Sequence, residues 1–134
     1  MVVAGADFRP RMEKIDDLRP HEEIRREHYE HLLAAIKKNK FVVPIIIDSK
    51  HKVILDGHHR YNALKALNFK EIPAIAVDYF GKDVKLFQRR KAYPVSKELV
   101  ISRALSGRLF PPKTTRHIIK RIKEEKIPLS ELTP

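Results

Sequence analysis

Apolar and polar positions follow two periods along this chain, and the changes between them mark its elements. Arg11 to Ile15 alternates as a short first strand and runs into the turn-like Asp16-Asp17-Leu18-Arg19-Pro20. Tyr29, Leu32, Leu33 and Ile36 then recur at i, i+3, i+4 and i+7 spacing, the stripe of a core-facing helix. His21-Glu22-Glu23 opens that predicted helix, which runs to about Asn39. Its acids suit the positive end of the helix dipole, and Lys37, Lys38 and Lys40 suit the negative end. Val42 to Asp48 is apolar and β-branched, a second strand. Ser49-Lys50-His51 turns it into a third strand, Lys52 to Asp56, so the pair predicts a hairpin. A helix over His58 to Leu67 places Ala63, Leu64 and Leu67 on one side, with Asn68 as its stop. Glu71 to Tyr79 supplies a fourth strand, which Pro73 assigns to an edge or to its own beginning.

Further on, Val84, Phe87 and Gln88 predict a short helix ended by Pro94. Ser96 is the expected N-cap of a helix through Leu99, Val100, Arg103 and Ala104, stopped by Gly107. Phe110-Pro111-Pro112 is held extended by proline geometry. Thr114 or Thr115 can cap a last helix through Ile118, Ile119 and Ile122. These elements predict a compact α/β (α+β) fold with a small mixed sheet flanked by helices. The expected organisation is one domain over 1–134, with a core over 1–81 and a helical C-terminal part over 82–134.

Composition narrows the classes. A hydrophobic content of 43% supports a folded globule. No stretch approaches the ~20 apolar residues of a membrane span, and Met1 to Arg11 is too short and mixed for a secretory signal. The chain has no cysteine, which excludes disulfides, thiolate metal sites and thiol nucleophiles. A cytoplasmic protein is expected. Heavy use of Lys, Arg, Glu and Ile also resembles proteins from hot environments. The net charge of +11 invites a nucleic-acid partner, although 17 acidic residues are interspersed. A pocket for a small anionic ligand would explain some of the same charge.

Three polar clusters carry the candidate chemistry. The first is Asp56-Gly57-His58-His59-Arg60, where a strand turns through glycine into a helix. Such a turn aims unpaired backbone N–H groups and the positive end of a dipole at whatever lies above the strand. Asp56 could hold a divalent cation, Gly57 lets a phosphate approach the backbone, and Arg60 offers a planar fork for phosphoryl oxygens. A solvated turn is the plain alternative, but five such residues together favour function. The second cluster is Pro20-His21-Glu22, whose carboxylate is either a dipole group or a catalytic one, with Glu23 as a competing choice. The third is Pro112-Lys113-Thr114-Thr115-Arg116-His117, which could grip an anionic or zwitterionic ligand or could simply cap a basic helix. His28 and His31 share a helix face but lack a third partner at zinc spacing.

The segment Leu55 to Leu64 resembles the nucleotide-handling motif of the ParB/sulfiredoxin superfamily, with G-x-x-R-x-x-A spacing in Gly57, Arg60 and Ala63. Leu18-Arg19-Pro20-His21-Glu22, Asp78-Tyr79-Phe80 and Phe110 to His117 resemble segments of the archaeal free serine kinases within it. That resemblance implies a ParB/sulfiredoxin-like fold and a kinase that phosphorylates free L-serine to O-phospho-L-serine for cysteine synthesis, using ADP or ATP with Mg2+. It implies Glu22 as the base that takes the serine hydroxyl proton. Asp56 would be catalytic or linked to Mg2+, and Gly57, His58, His59, Arg60 and Lys113 would meet the nucleotide phosphates. His21, Thr114, Thr115, Arg116 and His117 would hold the amino acid, Arg116 at its carboxylate.

The chain departs from this family in three places. Only about Lys82 to Leu109 stands where longer members carry a large insertion. Arg89 and Arg90 occupy the neighbourhood of an expected pocket aromatic, and Ala34-Ala35 stands where a small hydroxyl residue is expected. The rival expectation is a ParB-like, nucleotide-dependent DNA-binding protein, favoured by the charge and by the generic motif. Sulfiredoxin chemistry needs a catalytic cysteine and fails here.

Overall fold

The computed structural model describes residues 8–134. Most of Met1 to Arg11, the stretch too short and mixed for a secretory signal, therefore lies outside the described residues. A four-stranded mixed sheet in the order β1-β5-β3-β4 forms the centre. Its strands are β1 (Arg11–Lys14), β3 (Ile45–Asp48), β4 (Ile54–Asp56) and β5 (Glu71–Val77). β1 and β4 run antiparallel to their neighbours, whereas β3 and β5 are parallel. All four β3 residues are buried, because both faces of the sheet are covered. Ile45, Ile47, Ile54, Ile72 and Ala74 point into one core with Ile36, Ala63 and Leu64 of α1 (Arg26–Asn39) and α2 (His58–Ala66). Ile46, Leu55, Ile75 and Val77 point into the other, with Tyr79, Phe110 and with Val100 and Ala104 of α3 (Lys97–Ser106). The strand period of two thus divides a continuous apolar run between two cores.

The predicted hairpin, the helix after it, and α3 are found. Ser96 Oγ accepts from Leu99 N at 3.0 Å, and Gly107 ends α3 at φ 75°. Tyr29, Leu32, Leu33 and Ile36 form the core stripe of α1 as expected. Pro73 lies on an inner strand, not an edge. Pairing of β5 with β3 begins only at Ala74, so its missing N–H falls before the parallel ladder starts.

Four expectations are corrected. The long helix begins at Arg26, not at His21. Residues 21–23 are extended because Phe110 engages their backbone: Phe110 N donates to His21 O at 2.9 Å and Glu23 N donates to Phe110 O at 2.8 Å. The second strand is broken at Pro44 into β2 (Phe41–Val42), which pairs with β8 (Ile127–Pro128), and β3. The two remaining corrections replace helices by strands. β6 (Val84–Gln88) and β7 (Thr115–Ile119) pair antiparallel, with Leu86 opposite His117 and Phe87 opposite Arg116. Their burial alternates: Val84, Thr115, His117 and Ile119 turn inward, while Lys85, Phe87, Arg116 and Ile118 are exposed. Among the described residues, no helix is long and apolar enough to cross a membrane.

Candidate active site

β4 ends at Asp56 and the chain turns into α2 through Gly57, whose φ is 107°. A Cβ there would stand 2.6 Å from Ile45 Cγ2, so the turn needs glycine for both its conformation and its space. Arg60 straps this turn to the sheet. Its Nη1 donates to Val43 O (3.2 Å) and Pro44 O (2.9 Å), and its Nη2 donates to Asp56 Oδ2 (3.0 Å). The fork expected to grip phosphate is thus largely committed within the chain, with 18% of the side chain exposed, whereas Asp56 is 55% exposed.

The two histidines of the turn are backbone acceptors. His58 Nε2 accepts from His21 N and His59 Nε2 from Arg25 N, each at 3.1 Å. Burial, then the neighbouring His21 and His117, hold His58 well below the usual imidazole range. Burial likewise brings His59, stacked on His28 at 4.2 Å, down to about 4. Both are neutral near pH 7, so they bring hydrogen-bonding capacity to the site and no fixed positive charge.

Glu22 comes from the other end of the sequence. Lys113 adopts a left-handed φ of 58°, which lets three successive backbone N–H groups converge as a nest. Lys113 N donates to Glu22 Oε2 (3.1 Å), and Thr114 N (3.1 Å) and Thr115 N (2.9 Å) donate to Oε1. Thr115 Oγ1 lies 3.0 Å from the same Oε1 and 2.8 Å from His21 Nε2. His21 is completely buried; its Nδ1 stands 2.7 Å from Ile54 O, and burial lowers its pKa to about 4. His117 Nε2 pairs with the Tyr79 hydroxyl at 2.8 Å, and burial, then His21, lowers His117 to about 3. Burial, with Asp48 second, pushes Tyr79 up, so its hydroxyl keeps its proton.

The clusters meet at one cavity of about 470 Å³. Of the expected site residues, Glu22, Asp56, Gly57, His58, His59, Arg60, Lys113, Thr115, Arg116 and His117 all border it. His21 and Thr114 do not. His21 lies behind Thr115, and the buried Thr114 hydroxyl donates to Pro111 O at 2.7 Å, fixing the loop instead of facing a ligand. Glu23 is exposed and does not line the cavity, which leaves Glu22 as the inward acid. Arg89 and His28 also line it, beyond the expected set. Arg89 follows β6, and the basic pair Arg89-Arg90 was the available signal once that segment is read as a strand. Four fixed cations, Arg60, Arg89, Lys113 and Arg116, face two acids, Glu22 and Asp56, a balance that favours anionic ligands. Among the described residues, no three His, Cys, Asp or Glu side chains are grouped to hold a metal ion.

The chain belongs to the ParB N-terminal domain family, whose model matches residues 10–86. It is 41% identical over 69 residues to a ParB-like protein of Sulfolobus acidocaldarius, covering 52% of this chain and 35% of that one. It is 39% identical over 90 residues to an ATP-dependent L-serine kinase of Staphylothermus marinus, covering 63% of this chain and 36% of that one. The chain therefore spans about a third of the length of these curated relatives. Its fold matches that of a free serine kinase solved in complex with AMP, at a TM-score of 0.81 and 16% identity over 92% of this chain and 93% of the other.

Proposed function

We propose that this chain is a free L-serine kinase that transfers a phosphoryl group from ATP or ADP to the serine hydroxyl, giving O-phospho-L-serine for cysteine synthesis in the cytoplasm. The observation that carries the reading is the meeting of Glu22 with the Gly57–Arg60 turn. A carboxylate held by backbone 91–93 residues away opens on the same cavity as a helix N-terminus. The kinase relative and the kinase-like fold support it. On this reading residues 1–134 act as one unit, the 82–134 part closing the site over the core.

Phosphoryl transfer is mostly positioning and charge neutralisation. The first N–H groups of α2, with Lys113 and Arg89, face the nucleotide phosphates. Arg60 keeps the turn in shape from behind. Arg116 meets the amino-acid carboxylate, with His117 beside it. Glu22 takes the proton as the serine oxygen attacks phosphorus and the nucleotide oxygen leaves. Mg2+ fits this donor set only as an ion carried in on the phosphates, since one exposed carboxylate, Asp56, is at hand to hold it. Bound so, it would spread the charge of the transferring group.

Purified protein incubated with L-serine, Mg2+ and ATP or ADP should yield phosphoserine, with L-threonine and no-acceptor controls for selectivity. Absence of phosphoserine with both nucleotides refutes the reading. The second reading, a ParB-like nucleotide-dependent DNA-binding protein, is favoured by the +11 charge and the 41% identical ParB-like relative. It predicts a DNA mobility shift that weakens steeply with salt.

A further inference from the structure

Ile54 O can only accept, so His21 Nδ1, 2.7 Å from it, carries a hydrogen. Burial keeps the ring neutral, which leaves Nε2 as a bare lone pair. That lone pair points at Thr115 Oγ1 from 2.8 Å, and Glu22 Oε1 points at the same oxygen from 3.0 Å. The hydroxyl has one proton for two acceptors. With Glu22 ionised, one of these two close contacts sets lone pair against lone pair. With a proton on Glu22 Oε1, both side-chain contacts are satisfied: Oε1 donates to Thr115 Oγ1 and Thr115 donates to His21 Nε2.

We propose that Glu22, Thr115 and His21 form one proton-holding unit, in which the Thr115 hydroxyl turns from Glu22 to His21 when Glu22 takes up a proton. Thr115 and His21 are positioning residues that act through Glu22. Taken together with the proposed kinase reaction, the step balances simply. The serine proton passes to Glu22, the serine oxygen bonds to phosphorus, the nucleotide oxygen leaves, and the Thr115 proton only reorients. The buried imidazole behind the hydroxyl gives the network a better-bonded state to enter as the base becomes an acid.

Other charges bear on this unit. The cavity that Glu22 borders is also lined by Asp56, His58, His59 and Arg60 from the turn and α2, and by His28 from α1. Arg89 follows β6, and Lys113, Arg116 and His117 flank the nest. His58 and His117 lie 4.6 and 5.5 Å from the His21 ring, and both are neutral. None of these groups is bonded to the Thr115 hydroxyl, so removing that hydroxyl tests the unit selectively.

The experiment is nuclear magnetic resonance on the full chain. In the unaltered protein, long-range proton–nitrogen correlation should show His21 as the Nδ1-protonated tautomer; an Nε2-protonated ring overturns the proposal, and needs no variant. In Glu22→Gln, whose amide can donate to Thr115 where a protonated carboxyl would, the His21 Nε2 nitrogen resonance should shift toward that of a hydrogen-bonded lone pair, and adding Thr115→Val, a close isostere at a strand position, should abolish that shift. Thr115→Ser should preserve it. An unmoved resonance in Glu22→Gln overturns the unit even if the unaltered protein forms phosphoserine. Conversely, a shifted resonance in a protein that makes no phosphoserine keeps the unit and refutes only the kinase reading.

Discussion

The Gly57–Arg60 turn and the Lys113–Thr115 nest both present backbone N–H groups to one cavity, yet they are built in opposite ways. The turn is local. Consecutive residues shape it, glycine is obligatory because Ile45 stands under it, and Arg60 ties it to carbonyls 16 and 17 residues away. The nest is non-local: a lysine takes the left-handed conformation, and the N–H groups are filled by a carboxylate from the far end of the chain. A turn of the first kind can persist across a family with many functions, whereas the second kind exists only where two remote segments are both present.

The sharpest way to break this comparison is Glu22→Gln. An amide keeps the shape but cannot take a proton, so on the kinase reading kcat should fall by roughly 10²- to 10⁴-fold while nucleotide affinity stays nearly constant. A lost affinity with residual turnover, in single-turnover and binding assays, would move the base elsewhere.

Next in size is the pH dependence of stability, which probes the histidines joining the two regions. His21 is near 6.5 unfolded and about 4 folded. The unfolded chain therefore binds more protons below that unfolded value. Stability is fully present above pH 6.5 and is lost as pH falls toward 4, by roughly 3 kcal/mol from His21 alone. His117 adds in the same direction. Thermal unfolding from pH 8 to 4 should show a plateau and then a decline; a flat profile would mean that these imidazoles are solvated.

Two backbone substitutions then sharpen the contrast. Gly57→Ala should destabilise by about 1–3 kcal/mol in denaturant melts, since φ is positive and the added carbon meets Ile45. Lys113→Gly should be neutral or stabilising, within about 1 kcal/mol, because glycine relieves the left-handed strain at some entropic cost. Equal losses at the two positions would erase the distinction between them.

Legibility followed the same divide. The turn, the hairpin and the capped helix α3 were readable because each rests on neighbouring residues: Val53-Ile54-Leu55 before Gly57, and Ser96 before Leu99. The segments around Glu22, β6 and β7 carry a helical pattern in sequence yet are extended. Their ladders depend on partners far along the chain, Phe110 for residues 21–23 and each other for the two strands. In β7 the signal was present: Thr115, His117 and Ile119 alternate with Arg116 and Ile118, and β-branched residues dominate. The neutrality of His58 and His59 was not readable, because it comes from burial under remote segments. The commitment of Arg60 to carbonyls was hidden for a related reason, the kink that Pro44 introduces.

The nest that cradles Glu22 begins at Lys113, beyond residue 86 where the family match stops. A shortened protein ending there would retain the glycine corner and its arginine clasp but leave residues 21–23 without the strand-like companion that Phe110 supplies. Such a fragment would lose Arg89, Lys113, Arg116 and His117 from the cavity wall and have nothing to hold Glu22 against it. The segment that the family match covers thus supplies the turn, while the last fifth of the chain sets the acid beside it.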